Sequence, residues 1–174
     1  MGNLKSKRKR NPVLFVGMGN RIKSDDGVGI YITEKLQEKG LENIIIAENG
    51  IENYIGKINR LKPGTIIMID AMDMGGMKPG YYKLVPVNEV INTTSNTHNL
   101  SIRTISSFLE TGDQWVLGIQ PENVSFGLEL SEIVKSAAGK IIGTLIQSYC
   151  SLEVKNLGFG GNIGRLLTCN IKVQ

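Results

Sequence analysis

The sequence predicts a single α/β domain, a mainly parallel, five-stranded twisted sheet sandwiched between helices. Three observations predict it. Short apolar runs alternate with stretches of four-residue apolar spacing along most of the chain, the signature of strands and amphipathic helices in turn. The run Thr65–Asp70 (TIIMID) is apolar on consecutive positions, as a strand covered on both faces requires. The 174 residues suffice for one sizeable core and are few for two.

Each element follows from its residues. Val13–Gly17 is a short apolar strand that breaks into Gly17-Met18-Gly19. A helix is expected over Asp26–Lys39, with Val28, Ile32 and Leu36 on one face and Gly40 as its stop. Ile44–Ala47 reads as the second strand, and Glu52–Leu61 as a helix with Ile55, Ile58 and Leu61 inward. Lys62-Pro63-Gly64 is a turn before the TIIMID strand. Tyr81–Val87 is a fourth strand, an antiparallel edge, because the link before it is too poor in helix for a parallel crossover. Asn99–Leu109 reads as a helix, Trp115–Ile119 as the fifth strand, and Ser131–Tyr149 as a long final helix. The expected division is a basic flexible tail at 1–11, the folded domain at 12–150, and a Gly-rich extension at 151–174.

Composition narrows the function. The net charge of +4 suggests nucleic acid, but Lys5, Lys7, Arg8, Lys9 and Arg10 alone supply +5, so the body is near neutral. A block of like charge reads as a solvated end. Met1–Ser6 also matches the N-myristoylation pattern, which with the basic run would make a two-signal anchor. The simpler reading is preferred, with no nucleic acid and no membrane expected. No secretory signal is evident, and Cys150 and Cys169 lack metal-site spacing. The expected location is cytoplasmic.

The stretch PVLFVGMGNRIKSDDGVG resembles a phosphate loop at its start, yet Ile22 stands where a dinucleotide loop needs its third glycine, and Asp25-Asp26 would repel a phosphate. Two carboxylates there suit either a helix start or a cation. Asp70 ends a buried strand at the edge where open α/β sheets bind ligands, the same edge that Asp25 and Asp26 follow. His98, the sole histidine, sits in the polar run Ser95–Leu100 at a helix entrance. Asp26, Asp70 and His98 together offer two oxygens and one imidazole nitrogen, an open metal site suited to nickel, zinc or manganese.

These residues carry a family resemblance. Gly17-x-Gly19-Asn20…Asp25-Asp26-Gly27-x-Gly29 and Asp70-Ala71-x-Asp73-Met74-Gly75 resemble motifs of the nickel-iron hydrogenase maturation endopeptidases. Thr97-His98-Asn99-Leu100 and Leu117-Gly118-Ile119-Gln120-Pro121 resemble the formate-hydrogenlyase-type branch. The resemblance implies an endopeptidase that removes a short C-terminal peptide from the nickel-loaded precursor of a hydrogenase large subunit. The nickel is then supplied by the precursor. The metal-binding trio falls on Asp26, Asp70 and His98. Asp26 or Asp70 serves as general base toward water, or the metal polarises the carbonyl. Asn53, Asp73, Asn99 and Gln120 are candidate substrate-binding residues; the segments Asn49–Asn53 and Met72–Met77 follow strand ends at the same edge. Two other classes remain: a nickel-dependent checkpoint or chaperone that binds the precursor uncut, and a small-molecule hydrolase or nucleotide binder on the same fold.

Overall fold

Apolar runs too short for helices become the strands of one sheet. A computed structural model describes residues 13–90 and 102–155, with side chains through Tyr149. The strands are β1 (Val13–Met18), β2 (Ile44–Glu48), β3 (Thr65–Ala71), β4 (Tyr82–Pro86) and β5 (Asp113–Ile119). Their order is β2-β1-β3-β5-β4. All neighbours are parallel except β4, which lies antiparallel on β5 at the edge. The segment between β3 and β4 carries no helix, so the chain reverses there.

The helices are α1 (Val28–Glu38), α2 (Ile55–Leu61), α3 (Ile102–Ser107) and α4 (Glu132–Lys155). Period-2 alternation in the strands splits the core into two layers. On one face Phe15, Ile67, Ile69 and Leu117 meet Val28, Ile32 and Leu36 of α1 and Val134, Ala138, Ile141 and Leu145 of α4. On the other, Leu14, Val16, Ile66, Met68 and Val116 meet Ile58 of α2 and Ile105 of α3. The residues of β1 and β3 are buried along their whole length, as strands covered on both faces must be.

Several helix boundaries differ from expectation. Ser24–Gly27 and Ile51–Tyr54 form 3-10 turns before α1 and α2, so each α-helix starts later than its apolar spacing suggests. α4 continues to Lys155, past Tyr149, since no glycine or proline interrupts residues 150–155. The first residues of the helix expected at Asn99–Leu109 lie outside the described residues.

Candidate active site

β1 runs into Gly19, whose φ of 120° suits glycine and few other residues. A Cβ there would fall 1.8 Å from the Asp26 carbonyl oxygen and 3.6 Å from Asp70 Oδ1. The missing side chain lets the loop lie against the backbone of Asp26 and beside the Asp70 carboxyl. The Asn20 N–H donates to the same Asp26 carbonyl at 3.1 Å. Two more glycines act by close approach. A Cβ on Gly29 would sit 2.0 Å from the Ile69 carbonyl oxygen, and one on Gly17 2.1 Å from Thr33 Oγ1. The start of α1 thus rests on the backbones of β1 and β3. Glycines that look like a phosphate loop instead permit a helix–sheet contact that brings Asp26 to Asp70.

The two consecutive aspartates have different fates. Asp25 is fully buried. Its Oδ2 accepts from the N–H groups of Glu122 and Asn123 and from the Ser131 hydroxyl, each at 2.9 Å. Its Oδ1 accepts from the Ser131 N–H at 2.7 Å. Asp25 thus fastens the loop between β5 and α4. Ser24, just before it, is held at φ 46°, a left-handed conformation that costs a serine on the order of 1 kcal/mol.

Asp26 and Asp70 are both buried, at 6% and 5% exposure. Asp70 lies on the strand face of Ile66 and Met68, one residue before the end of β3. Its Oδ1 has no hydrogen-bond partner among the described residues. Burial first, then the charge of Asp26, pushes the Asp70 carboxyl up to about 8, against the opposing Ala71 N–H. Arg21, in the same loop as Asp26, is engaged by Glu34 at 2.7 Å and Glu48 at 2.8 Å. Two buried carboxylates, one with an oxygen that no donor among the described residues satisfies, are a donor set that fits a cation. Among the described residues no three of His, Cys, Asp and Glu stand together as a metal site. His98, the third expected ligand, lies outside the described residues, as does Asn99. The helix that follows them, α3, covers the Asp70 face of the sheet.

The other candidates reach the same edge. Asn53 is exposed in the turn after β2, its N–H donating to the Gly50 carbonyl at 3.0 Å. Asp73 is exposed after β3, and its Oδ1 accepts from the Gly75 N–H at 3.1 Å. Gln120 follows β5, and its Oε1 accepts from the Met74 N–H at 2.7 Å, which pins the loop after Asp70. Sequence reasoning missed the segment from Glu122 to Ser131. Its one signal, Ser131-Glu132 as a helix start, gave no hint that the serine reaches back to Asp25.

The family model for the HycI hydrogenase maturation protease matches residues 28–148. The hydrogenase 3 maturation protease of Escherichia coli is 30% identical over 125 residues, 69% of this chain and 80% of that protein. The crystal structure of a NiFe hydrogenase maturation protease HycI from Thermococcus kodakarensis is similar with a TM-score of 0.68 at 25% identity, covering 79% of this chain and 91% of its own. The solution structure of an endopeptidase HycI from Escherichia coli gives a TM-score of 0.66 at 28% identity, with 77% and 88% covered.

Proposed function

Because the chain belongs to the hydrogenase maturation protease family and cleaves the C-terminus of a hydrogenase large-subunit precursor, we propose that Asp26 and Asp70 are where it reads and cuts that precursor. The observation that carries this reading is the buried Oδ1 of Asp70, without a donor among the described residues, beside the buried Asp26. Carboxylates so placed gain from a cation, and a cation carried by the precursor makes loading a condition of docking. Nickel is that ion, bound by Asp26, Asp70 and His98, and it belongs to the substrate.

Docking sets the scissile bond beside the carboxylates. Water attacks the carbonyl carbon while a carboxylate oxygen of Asp26 or Asp70 takes its proton. The C–N bond then breaks and the proton passes to the leaving amine. Asn53, Asp73, Asn99 and Gln120 position the peptide, a reading supported by the placement of Asn53, Asp73 and Gln120 beyond strand ends at one edge. The likeness to the hydrogenase 3 maturation protease of E. coli and the Thr97–Leu100 and Leu117–Pro121 motifs support a substrate of the formate-hydrogenlyase type.

The test is a cleavage assay. The purified protein is mixed with a large-subunit precursor, with and without nickel, and the products are weighed by mass spectrometry. Loss of a C-terminal peptide only with nickel, abolished by His98→Ala and by Asp70→Asn, is the expected result. Cleavage by Asp70→Asn at the wild-type rate refutes the role given to Asp70.

A further inference from the structure

The loop between β5 and α4 presents an apolar surface that stands exposed among the described residues. Phe126 and Leu128, at 82% and 78% exposure, are the most exposed large apolar side chains among the described residues. Val124, two residues before Phe126, and Ile22 are also exposed. Ile22 is joined to the loop directly. The Gly127 N–H donates to the Ile22 carbonyl at 3.1 Å, and the Ser24 N–H donates to the Gly127 carbonyl at 2.8 Å.

The exposure does not come from a slack loop. Asp25 takes four hydrogen bonds from its two ends, and Asn123 Oδ1 accepts from both the N–H and the hydroxyl of Ser125. Gly127 faces inward, where a Cβ would lie 2.5 Å from Ser24 Oγ. Gly127 bridges to Lys23 in the loop before α1, and the residues on either side of it, Phe126 and Leu128, stand out to solvent. Apolar side chains held out by a rigid frame mark an interaction site.

We propose that Val124, Phe126, Leu128 and Ile22 form the docking face for the folded body of the large-subunit precursor, which meets it with an apolar patch beside its C-terminal segment. The proposal rests on the function given above. Continuity with the carboxylates selects this occupant. The loop hangs from Asp25, the residue next to Asp26, so a protein whose C-terminal segment reaches Asp26 and Asp70 lies over this loop. Asp25 thus couples the face that recognises the body to the carboxylates that meet the segment to be cut.

The experiment compares full-length wild type with Phe126→Ser/Leu128→Ser, and with Leu61→Ser/Phe108→Ser as control. The control pair is also exposed but lies toward the opposite edge of the sheet, at the ends of α2 and α3. Affinity for immobilised nickel-loaded precursor is measured alongside kcat and KM. The docking pair is expected to weaken binding about 10- to 100-fold and raise KM in step, with kcat within about twofold. The control is expected to match wild type. Unchanged affinity in the docking pair overturns the proposal, as does an equal loss in the control, or no precursor binding by wild type. So does sedimentation showing that the docking pair abolishes self-association while precursor affinity holds, since the face then joins two copies of the chain. Wild type that binds through these residues yet never cleaves upholds the docking face and removes the endopeptidase reading instead.

Discussion

Replacing Asp25 by alanine tests whether one carboxylate holds the loop between β5 and α4 in place. The substitution strands four donors: the N–H groups of Glu122, Asn123 and Ser131, and the Ser131 hydroxyl. A hydrogen bond to a charged acceptor is worth roughly 1.5–3 kcal/mol, so the gross loss is large. Two effects reduce it. Glu122 and Asn123 are exposed, so water can serve their amides, and removing a fully buried carboxylate recovers its desolvation cost. The net loss is then about 3 kcal/mol, which lowers Tm by about 6–12 °C in a domain of this size. Asp25→Asn should fall between: its one oxygen can keep the three bonds to Oδ2, but its NH2 then opposes the Ser131 N–H. The assay is thermal unfolding with amide hydrogen exchange. Exchange at Glu122, Asn123 and Ser131 should speed far more than at the amides of β1 and β3. Asp25→Ala melting within about 2 °C of wild type, with those three amides unchanged, would refute the reasoning.

Asp70→Asn carries a pH signature in the metal-free protein. The Asp70 carboxyl is raised from 3.8 to about 8, so the folded state binds more protons than the unfolded state between those values, and wild-type stability falls as pH rises through that window. The variant should match wild type near pH 4 and exceed it by on the order of 4 kcal/mol at pH 7; denaturant melts showing parallel pH profiles would contradict this. Gly29→Ala places a methyl 2.0 Å from the Ile69 carbonyl oxygen. It should cost roughly 2–3 kcal/mol by forcing α1 off β3, and precursor cleavage measured well below its Tm should fall as Asp26 moves from Asp70. Ile58→Ala, fully buried under the opposite face, should cost a similar 2–5 kcal/mol yet leave kcat/KM unchanged at low temperature.

The contrast between the Gly29 and Ile58 substitutions rests on what was legible in the sequence. Apolar runs gave the strands because a strand in this sheet needs only its own residues to show that both faces are covered. The antiparallel edge was legible too, since the segment before β4 has no helix with which to cross over. Asp70 could be placed because a carboxylate that ends a buried parallel strand has one edge to occupy. The late start of α1 was hidden, because acidic residues suit a 3-10 turn as well as a first α-helical turn. The separate roles of Asp25 and Asp26 were hidden for a different reason. The residues that engage Asp25 lie 97 to 106 positions away, and no local pattern reports a partner at that distance. What distinguishes the carboxylates is the supply of donors that the tertiary fold brings. Asp25 receives three N–H groups and a hydroxyl, which makes it a strut between a loop and a helix. Oδ1 of Asp70 receives none from the described residues. In a buried place a carboxylate oxygen without a donor is stabilised by a proton or by a cation. Below about pH 8 the metal-free protein takes the proton, and the proposed reaction begins when an ion borne by the precursor replaces it.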